Sequence, residues 1–365
     1  MAVAADIAVT TRAAAGPARQ AARRAHPLRA MLRRAGLTYV ESVALTIRRE
    51  RYGRGFAYYD AEGAPIRDRK LVKRLARLAV PPAYRDVMYA EDPRAHLQAI
   101  GRDAAGRLQY RYHPDWQHIR ETRKAARLAR LIEALPRLRR AIGRYLARAE
   151  PDRALALAAA LALVDRTAIR AGCETYSRLN GTRGAATLLK SNVGIAGAAI
   201  TLTFRAKGGQ SVRKRLRDRR LAQALSVLRQ LPGRRLFQYR DADGRVRPLR
   251  RRDVNAFLRE TAGCEVTLKD FRTLMASAGV LEALSQTEPA PSARARRRQV
   301  LEAVRKAADN LANTPTICRK SYVHDSVITA FENGALVRFA DRFRTSRSAA
   351  LRERVLAQVI SAAAA

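Results

Sequence analysis

Apolar residues between positions 38 and 113 are spaced as they are in β-strands. Short apolar runs alternate with polar residues and are separated by turn sequences such as DAEG at residues 60–63, a pattern that predicts strands and hairpins. Residues 70–78 differ, because their leucines fall on one face of a helix that would end before the following pair of prolines. This part of the chain is therefore predicted to be a small, mostly β module.

The apolar spacing changes to that of helices from Trp116 onward. Residues 187–204 interrupt it, because they are rich in Val, Ile and Thr and end on a glycine turn at 206–209, which predicts a small sheet. Residues 285–298 contain prolines and a run of arginines, which predicts an exposed basic linker. Helices are predicted over residues 120–149, 152–171, 212–231, 253–261, 270–284 and 299–312, and the second of these is apolar enough to be buried.

These patterns predict an α+β protein. Residues 36–114 would form a small β-rich N-terminal domain, and residues 115–342 a mostly α-helical domain with a small embedded antiparallel sheet. Residues 1–35 are rich in Arg and Ala without apolar periodicity, which predicts a disordered basic arm; an organelle transit peptide is the alternative. Residues 343–365 are expected to be an Arg/Ala-rich C-terminal tail.

The charge balance points to a polyanionic partner. The 365-residue chain has 72 Lys and Arg against 32 Asp and Glu, a formal net charge of +40. So large a net charge makes a folded chain repel itself, and proteins that carry it most often bind the phosphate backbone of nucleic acid. The basic residues are spread along the whole chain. No apolar run approaches the ~18 residues of a membrane span, so a transmembrane protein is excluded.

Several classes of enzyme find no support in the sequence. There is no GxxxxGK[ST] loop, no GxGxxG fingerprint and no HExxH motif, and the five His are scattered. Three Cys without a Cys-x-x-Cys pair exclude a disulfide scaffold and a cysteine zinc site, and scarce acidic residues make a metal-dependent nuclease a poor explanation. Metal-free chemistry on phosphodiesters would use Tyr as the nucleophile, Lys as the general acid and Arg to bind the phosphoryl oxygens.

Side chains of these types occur at four positions with suitable surroundings, and an Asn stands near the fourth. Arg170 ends the most apolar helix, Lys207 lies on the glycine turn, and Arg272 lies in the first turn of a predicted helix, where backbone N–H groups also favour anions. Asn313 follows another helix, and Tyr322 comes nine residues later. Each position alone is weak evidence for a catalytic site, since an Arg in this chain more often lies on the solvated surface and a lone Tyr more often packs in the core.

Taken in this order and spacing, the segments resemble the type IB DNA topoisomerases, in particular their compact bacterial and poxvirus-like branch. The resemblance extends over about residues 37–339 and includes LAVPPAY at 78–84, HLQAIGRD at 96–103 and GRLQYRYH at 106–113. It implies an isomerase that relaxes positive and negative supercoils in double-stranded DNA. Such an enzyme cuts one strand, holds it as a 3′-phosphotyrosyl ester, lets it rotate and reseals it, without ATP, metal or other cofactor.

The resemblance also implies a role for each of the five residues. Tyr322 would be the nucleophile, Arg170 and Arg272 would hold the non-bridging oxygens of the scissile phosphate, and Lys207 would protonate the 5′ leaving oxygen. Asn313 lies where eukaryotic and viral members have a His. Because an amide donates a hydrogen bond but cannot supply a proton, Asn313 is expected to position the phosphate.

DNA contacts are implied at Gln109, Tyr110 and Tyr112 of the N-terminal domain and at Tyr176 of the helical domain. Alternating tyrosines in a hairpin are also common packing residues, so packing is the alternative for these positions. The two domains are expected to form a C-shaped clamp around the duplex. The enzyme is expected to act as a monomer in the bacterial cytoplasm, at the nucleoid, and Cys318 is interpreted as a packing residue.

Two other classes remain open at this point. A tyrosine recombinase would share the Arg-Lys-Arg-Tyr set, but recombinases usually carry His three positions before the second Arg, where this chain has Lys269, and their N-terminal domain is helical. A basic protein that only coats DNA would explain the charge, but it would not predict a Lys in the glycine turn or a Tyr at this distance from Asn313.

Overall fold

The computed structural model describes residues 28–346 and 348–363. The chain divides into two compact units, Met1–Arg123 and Lys124–Ala365. Most of the predicted N-terminal arm lies outside the described residues, but residues 28–34 form a helix, so the ordered part begins before residue 36. Its Leu32 is fully buried against Leu37, Trp116 and Ile119, because these apolar side chains together exclude water.

The first unit is built on one antiparallel sheet. Its five strands pair in the order β2-β1-β3-β4-β5, and Tyr58, Val87 and Tyr89 form the core between the sheet and the helix α1. Asp68 starts α1 by accepting a hydrogen bond from the backbone of Lys70. The elements are β1 (Ile47–Tyr52), β2 (Gly55–Tyr59), α1 (Arg69–Arg77), β3 (Arg85–Tyr89), β4 (Leu97–Arg102) and β5 (Leu108–Tyr112).

The remaining chain is mainly helical with two small antiparallel sheets, as the α+β prediction requires. Among the described residues, no helix is both long and apolar enough to cross a membrane. The helices are α2 (Trp116–Leu146), α3 (Arg153–Thr167), α4 (Glu174–Asn180), α5 (Arg219–Arg229), α6 (Arg251–Ala262), α7 (Leu268–Ser285), α8 (Ala293–Leu311), α9 (Pro315–Ser321), α10 (Asp325–Glu332), α11 (Ala340–Thr345) and α12 (Ala349–Ala362). The strands are β6 (Val193–Ala196), β7 (Ala199–Arg205) and β8 (Ser211–Arg217) in one sheet, and β9 (Gln238–Arg240) and β10 (Val246–Pro248) in the other.

Helix α3 is the centre of the larger core, as its composition predicted. Every residue from Leu155 to Val164 is buried, and the helix contacts α5, α6 and α7. It begins where Asp152 accepts a hydrogen bond from the backbone of Leu155, and it ends at Ala168, whose backbone is left-handed with φ of 48°. A helix with no polar face can exist only where other elements cover it on all sides.

Three sequence predictions for this part were wrong. Residues 212–231 are not one helix, because 211–217 form strand β8 and Asp218 caps a helix that starts at Arg219; the apolar residues Val212 and Leu216 fit either spacing. The arginine run expected in a linker lies in the first turns of α8, which Ser292 caps. The expected tail beyond residue 343 contains α12, and its buried apolar residues are Leu351, Val355, Leu356, Val359 and Ile360.

Helix α12 is tied to the core by a buried charge cluster. The Arg139 guanidinium of α2 donates to both carboxylate oxygens of Asp165 in α3, at 2.9 Å each, and of Glu353 in α12, at 2.7 and 2.8 Å. Burial works against the charge of Arg139, but the two carboxylates overcome it and raise its pKa. The last helix is therefore part of the folded unit.

The segment that follows α3 is held by an unusually close backbone approach. The backbone N–H of Ala185 donates to the Arg170 carbonyl at 2.7 Å, and that of Ala186 donates to the Ala171 carbonyl at 2.9 Å. A Cβ added to Gly184 would lie 2.4 Å from the Arg170 carbonyl oxygen and 2.5 Å from the Gly172 nitrogen. Only glycine therefore fits at position 184, and the backbone at Arg170 is fixed by it.

We expect the substitution Gly184→Ala to destabilise the protein by about 1–3 kcal/mol, the usual cost of forcing an extra carbon into a packed site. Chemical denaturation followed by circular dichroism measures the change. Gly194→Ala is the matched control, because the nearest atom to its added Cβ is 4.0 Å away. Equal stability of the two variants would contradict the close approach at Gly184.

Candidate active site

Arg272 is fixed by the ends of two helices. It lies in the first turns of α7 and is only 3% exposed. One terminal nitrogen donates to the carbonyl of Ala168 at 2.6 Å, and the other donates to the carbonyl of Leu311 at 2.9 Å. These are carbonyl groups at the C-terminal ends of α3 and α8, which have no partner within their own helices and favour cations.

Arg170 and Asn313 form a second part of the same cluster. The Arg170 guanidinium donates to the Asn313 side-chain oxygen and, at 3.3 and 3.4 Å, to the carbonyl of Ala312. Because the amide oxygen accepts from Arg170, the amide nitrogen of Asn313 points away from it. Burial and then the charge of Arg272 lower the pKa of Arg170, so the two arginines repel each other at short range.

Two buried donors of this cluster have no acceptor among the described residues. They are the Asn313 amide nitrogen and the Nε of Arg272. Buried donors without a partner are costly, and in a cluster of like charges the group that satisfies them is an anion. The cavity lined by Arg170, Arg272 and Lys214 has a volume of about 10 Å³, so the three cationic side chains are packed closely together.

Tyr322 lies against the same arginine. Its half-buried side chain ends α9, with the Arg272 guanidinium carbon 4.8 Å and the Lys269 ammonium 5.7 Å from the ring centroid. Burial alone would raise the pKa of the Tyr322 phenol, but the charge and hydrogen-bonding of Arg272 and the charges of Lys269 and Arg170 outweigh it. The pKa of Tyr322 is therefore lower than that of an ordinary tyrosine.

The backbone around Tyr322 is held by a serine that the sequence analysis did not select. Ser277 of α7 is fully buried, donates to the Tyr322 carbonyl at 3.0 Å and accepts from the His324 backbone N–H at 3.0 Å. The Tyr322 N–H donates to the Cys318 carbonyl at 2.9 Å. Ser277 follows Arg272 on one helix, but a serine in an apolar helix carries no signal that it contacts a residue this far along the chain.

Of the five predicted catalytic residues, Lys207 alone has no contact with the other four in the part of the chain that the structure describes. It is exposed and begins the turn Lys207–Gly209 between β7 and β8, where Gly208 and Gly209 have φ of 76° and 75°. Two successive left-handed residues explain the two glycines. Lys214 of β8, which was not predicted, lines the cavity with Arg170 and Arg272 instead.

The predicted DNA-contact residues lie in two places. On β5 of the first unit, the rings of Tyr110 and Tyr112 are stacked 6.1 Å apart and are 48% and 39% exposed, and the Gln109 amide donates to Asp103 at 2.8 Å. Tyr176 of α4, in the second unit, is 51% exposed. The Tyr112 ring also stacks on the Trp116 ring, with centroids 5.5 Å apart, so packing accounts for one face of this tyrosine.

Cys318 is fully buried, four residues before Tyr322. Burial raises the pKa of its thiol to about 11, so it stays protonated at neutral pH and is a poor nucleophile. This environment fits the interpretation of Cys318 as a packing residue.

Known proteins are similar to this chain over most of its length. Residues 114–339 match the family model for the catalytic core of eukaryotic DNA topoisomerase I, and residues 55–103 match the one for the N-terminal domain of bacterial DNA topoisomerase IB. A DNA topoisomerase 1B of Acanthamoeba polyphaga mimivirus is 32% identical over 294 residues, which cover 79% of this chain and 88% of that relative. The chain thus belongs to the type IB DNA topoisomerases, isomerases that change the topology of DNA.

Proposed function

We propose that this enzyme relaxes positive and negative supercoils in double-stranded DNA by cutting and resealing one strand through a 3′-phosphotyrosyl intermediate, without ATP or a metal ion. The observation that carries the proposal is the position of Tyr322. Its phenol, with a lowered pKa, lies against Arg272 and is under the charge of Arg170, and neither guanidinium pairs with a carboxylate among the described residues. A phenol in this setting is an activated nucleophile for a phosphodiester.

Tyr322 would attack the phosphorus and displace the 5′ oxygen of the next nucleotide. Arg170, Arg272 and the amide nitrogen of Asn313 would donate to the non-bridging oxygens, where negative charge increases in the transition state. One phosphodiester is exchanged for another, so the energy of the broken bond is kept in the phosphotyrosyl ester and the reverse attack reseals the strand. Nucleotide hydrolysis is not required by this balance.

Lys207 would give a proton to the leaving 5′ oxygen. An ammonium can supply this proton, whereas an arginine at neutral pH cannot. The turn that carries Lys207 supports this role, since Gly208 and Gly209 allow backbone conformations that other residues rarely adopt. The reaction as proposed needs this turn to bring Lys207 to the leaving group when DNA is bound.

Gln109, Tyr110, Tyr112 and Tyr176 are proposed to contact DNA. The exposed rings of the three tyrosines support this role, as does the net charge of +40 for affinity to the phosphate backbone. The C-shaped clamp, the monomeric state and the location at the bacterial nucleoid stay predictions. The family match favours a topoisomerase over the tyrosine recombinase and the coating protein.

Relaxation of supercoiled plasmid tests the reaction itself. In EDTA and without ATP, the wild-type enzyme is expected to relax both positively and negatively supercoiled plasmid, and Tyr322→Phe is expected to relax neither while still binding DNA. Gel electrophoresis of the topoisomers measures both results. Relaxation by Tyr322→Phe at the wild-type rate would overturn the role of Tyr322, and a requirement for ATP or a divalent metal would overturn the proposed mechanism.

The pKa of Tyr322 provides a second test. Because the charge of Lys269 lowers this pKa, Lys269→Met should raise it, and the Tyr322 phenolate should form at higher pH. Phenolate absorbance is titrated in the free enzyme, and the Tyr322→Phe titration is subtracted to isolate this one tyrosine. Lys320→Met, which removes an exposed lysine of α9, is the control and should leave the titration unchanged. A Lys269→Met titration that moves to lower pH, or does not move, would contradict the electrostatic argument.

Ser277 tests whether the backbone of the nucleophile must be held. Ser277→Ala leaves the Tyr322 carbonyl and the His324 N–H without this partner, which should cost about 1–3 kcal/mol of stability and slow DNA cleavage about tenfold. Ser285→Ala is a matched control on the same helix, since Ser285 is also buried but its hydroxyl has no hydrogen-bond partner among the described residues. Cleavage at equal rates by both variants would show that Ser277 does not position Tyr322.

A further inference from the structure

The end of helix α8 binds a third cation besides the two arginines. The Lys214 ammonium, from the middle of strand β8, donates to the carbonyl of Asn310. The next two carbonyls accept hydrogen bonds from Arg272 and Arg170. Successive carbonyl groups at one helix end are therefore each bound by a cation, and the last of these cations also holds Asn313.

The Lys214 ammonium loses hydration by being half-buried, a free-energy cost that a lysine on the surface does not have. Its side chain is half-buried, whereas its neighbours Arg213 and Arg215 are exposed. Burial, and then the charge of Arg272, lower the pKa of Lys214. The two carboxylates that line the adjoining cavity, Asp165 and Glu353, are both bound by Arg139. The helix carbonyl is thus the group that offsets the burial of this ammonium.

The path of the chain beyond Asn310 connects this contact to the nucleophile. Ala312 turns the chain with a left-handed backbone, Asn313 follows, and Thr314 caps α9 by accepting a hydrogen bond from the Ile317 N–H. Tyr322 ends α9. The chain between Asn310 and Tyr322 is almost entirely regular structure, so a shift at the end of α8 would be passed on to both functional side chains.

We propose that Lys214 is a positioning residue for strand cleavage: by holding the last turn of α8 at Asn310, it sets the places of Asn313 and Tyr322 relative to the two arginines. This inference rests on the proposed role of Tyr322. Lys214 itself transfers no proton, and the general acid remains Lys207. Small displacements of groups that must meet a reacting phosphate are enough to slow a reaction strongly.

The test measures a single round of cleavage on a duplex whose cleaved fragment is short enough to diffuse away, so that resealing cannot follow. Lys214→Met removes the ammonium and keeps the length of the chain, and it should slow cleavage about tenfold to a hundredfold. DNA affinity, measured for Tyr322→Phe with and without Lys214→Met, should change less than about threefold, because the loss is in the chemical step. Lys214→Arg can still donate to the Asn310 carbonyl and should restore most of the rate.

A substrate with sulfur in place of the 5′ leaving oxygen distinguishes positioning from proton donation, since a thiolate leaves without a proton. This substrate should not relieve the defect of Lys214→Met but should relieve that of Lys207→Met. Lys306→Met, at an exposed position of α8, is the matched control and should cleave at the wild-type rate. Thermal unfolding checks that each variant is folded, and Lys214→Gln, which keeps a hydrogen-bond donor, replaces Lys214→Met if the latter is unfolded.

Each result has a defined meaning. Wild-type cleavage by Lys214→Met, or a slow variant that the sulfur substrate restores, would overturn the positioning role. A slow Lys214→Met that Lys214→Arg does not improve would also overturn it, because the contact with Asn310 would then not be what matters. If Tyr322→Phe cleaves DNA, the proposed function has failed, whatever Lys214 does.

Discussion

The carbonyl groups at the end of α8 are the interaction on which the candidate active site depends. They hold Lys214, Arg272 and Arg170, which come from a strand, a helix and a loop that are far apart in the sequence. A carboxylate could hold the same cations, but it would neutralise them and compete with a phosphate. Helix carbonyls carry only partial negative charge, so the cations are fixed and their charge stays available to an anion. Cations held in this way keep contributing to the net charge of +40 that attracts a polyanion.

Helix α7 sets the relation between the anion-binding groups and the nucleophile. It carries Arg272 and Lys269 against the Tyr322 ring and Ser277 against the Tyr322 backbone. The side chain that lowers the pKa of the phenol and the hydroxyl that holds its backbone therefore belong to one rigid element. A displacement of α7 would move both groups together, so the distance between Tyr322 and Arg272 is insensitive to such a motion.

Sequence reasoning succeeded where the pattern is local and failed where contacts are distant. The composition of residues 152–171 was enough to place α3 in the core, and the order of motifs selected four residues that the structure brings together. Strand β8 was missed because Val212 and Leu216 are spaced four apart, which suits a helix as well as alternate positions of a strand. Lys214 and Ser277 could not be found, since their partners are distant in the sequence. Lys207 was selected by its motif alone, because it lies in an exposed turn.

Two alanines at helix ends have a consequence for protein engineering. Ala168 and Ala312 both have φ of 48°, a conformation in which glycine is usual, and each offers its carbonyl to one of the arginines. An alanine in this conformation costs about 1–2 kcal/mol. A search for heat-resistant variants would therefore favour glycine at both positions. That gain would come with greater freedom of the carbonyls that align the arginines, so thermal tolerance and turnover are opposed at the same two backbone positions.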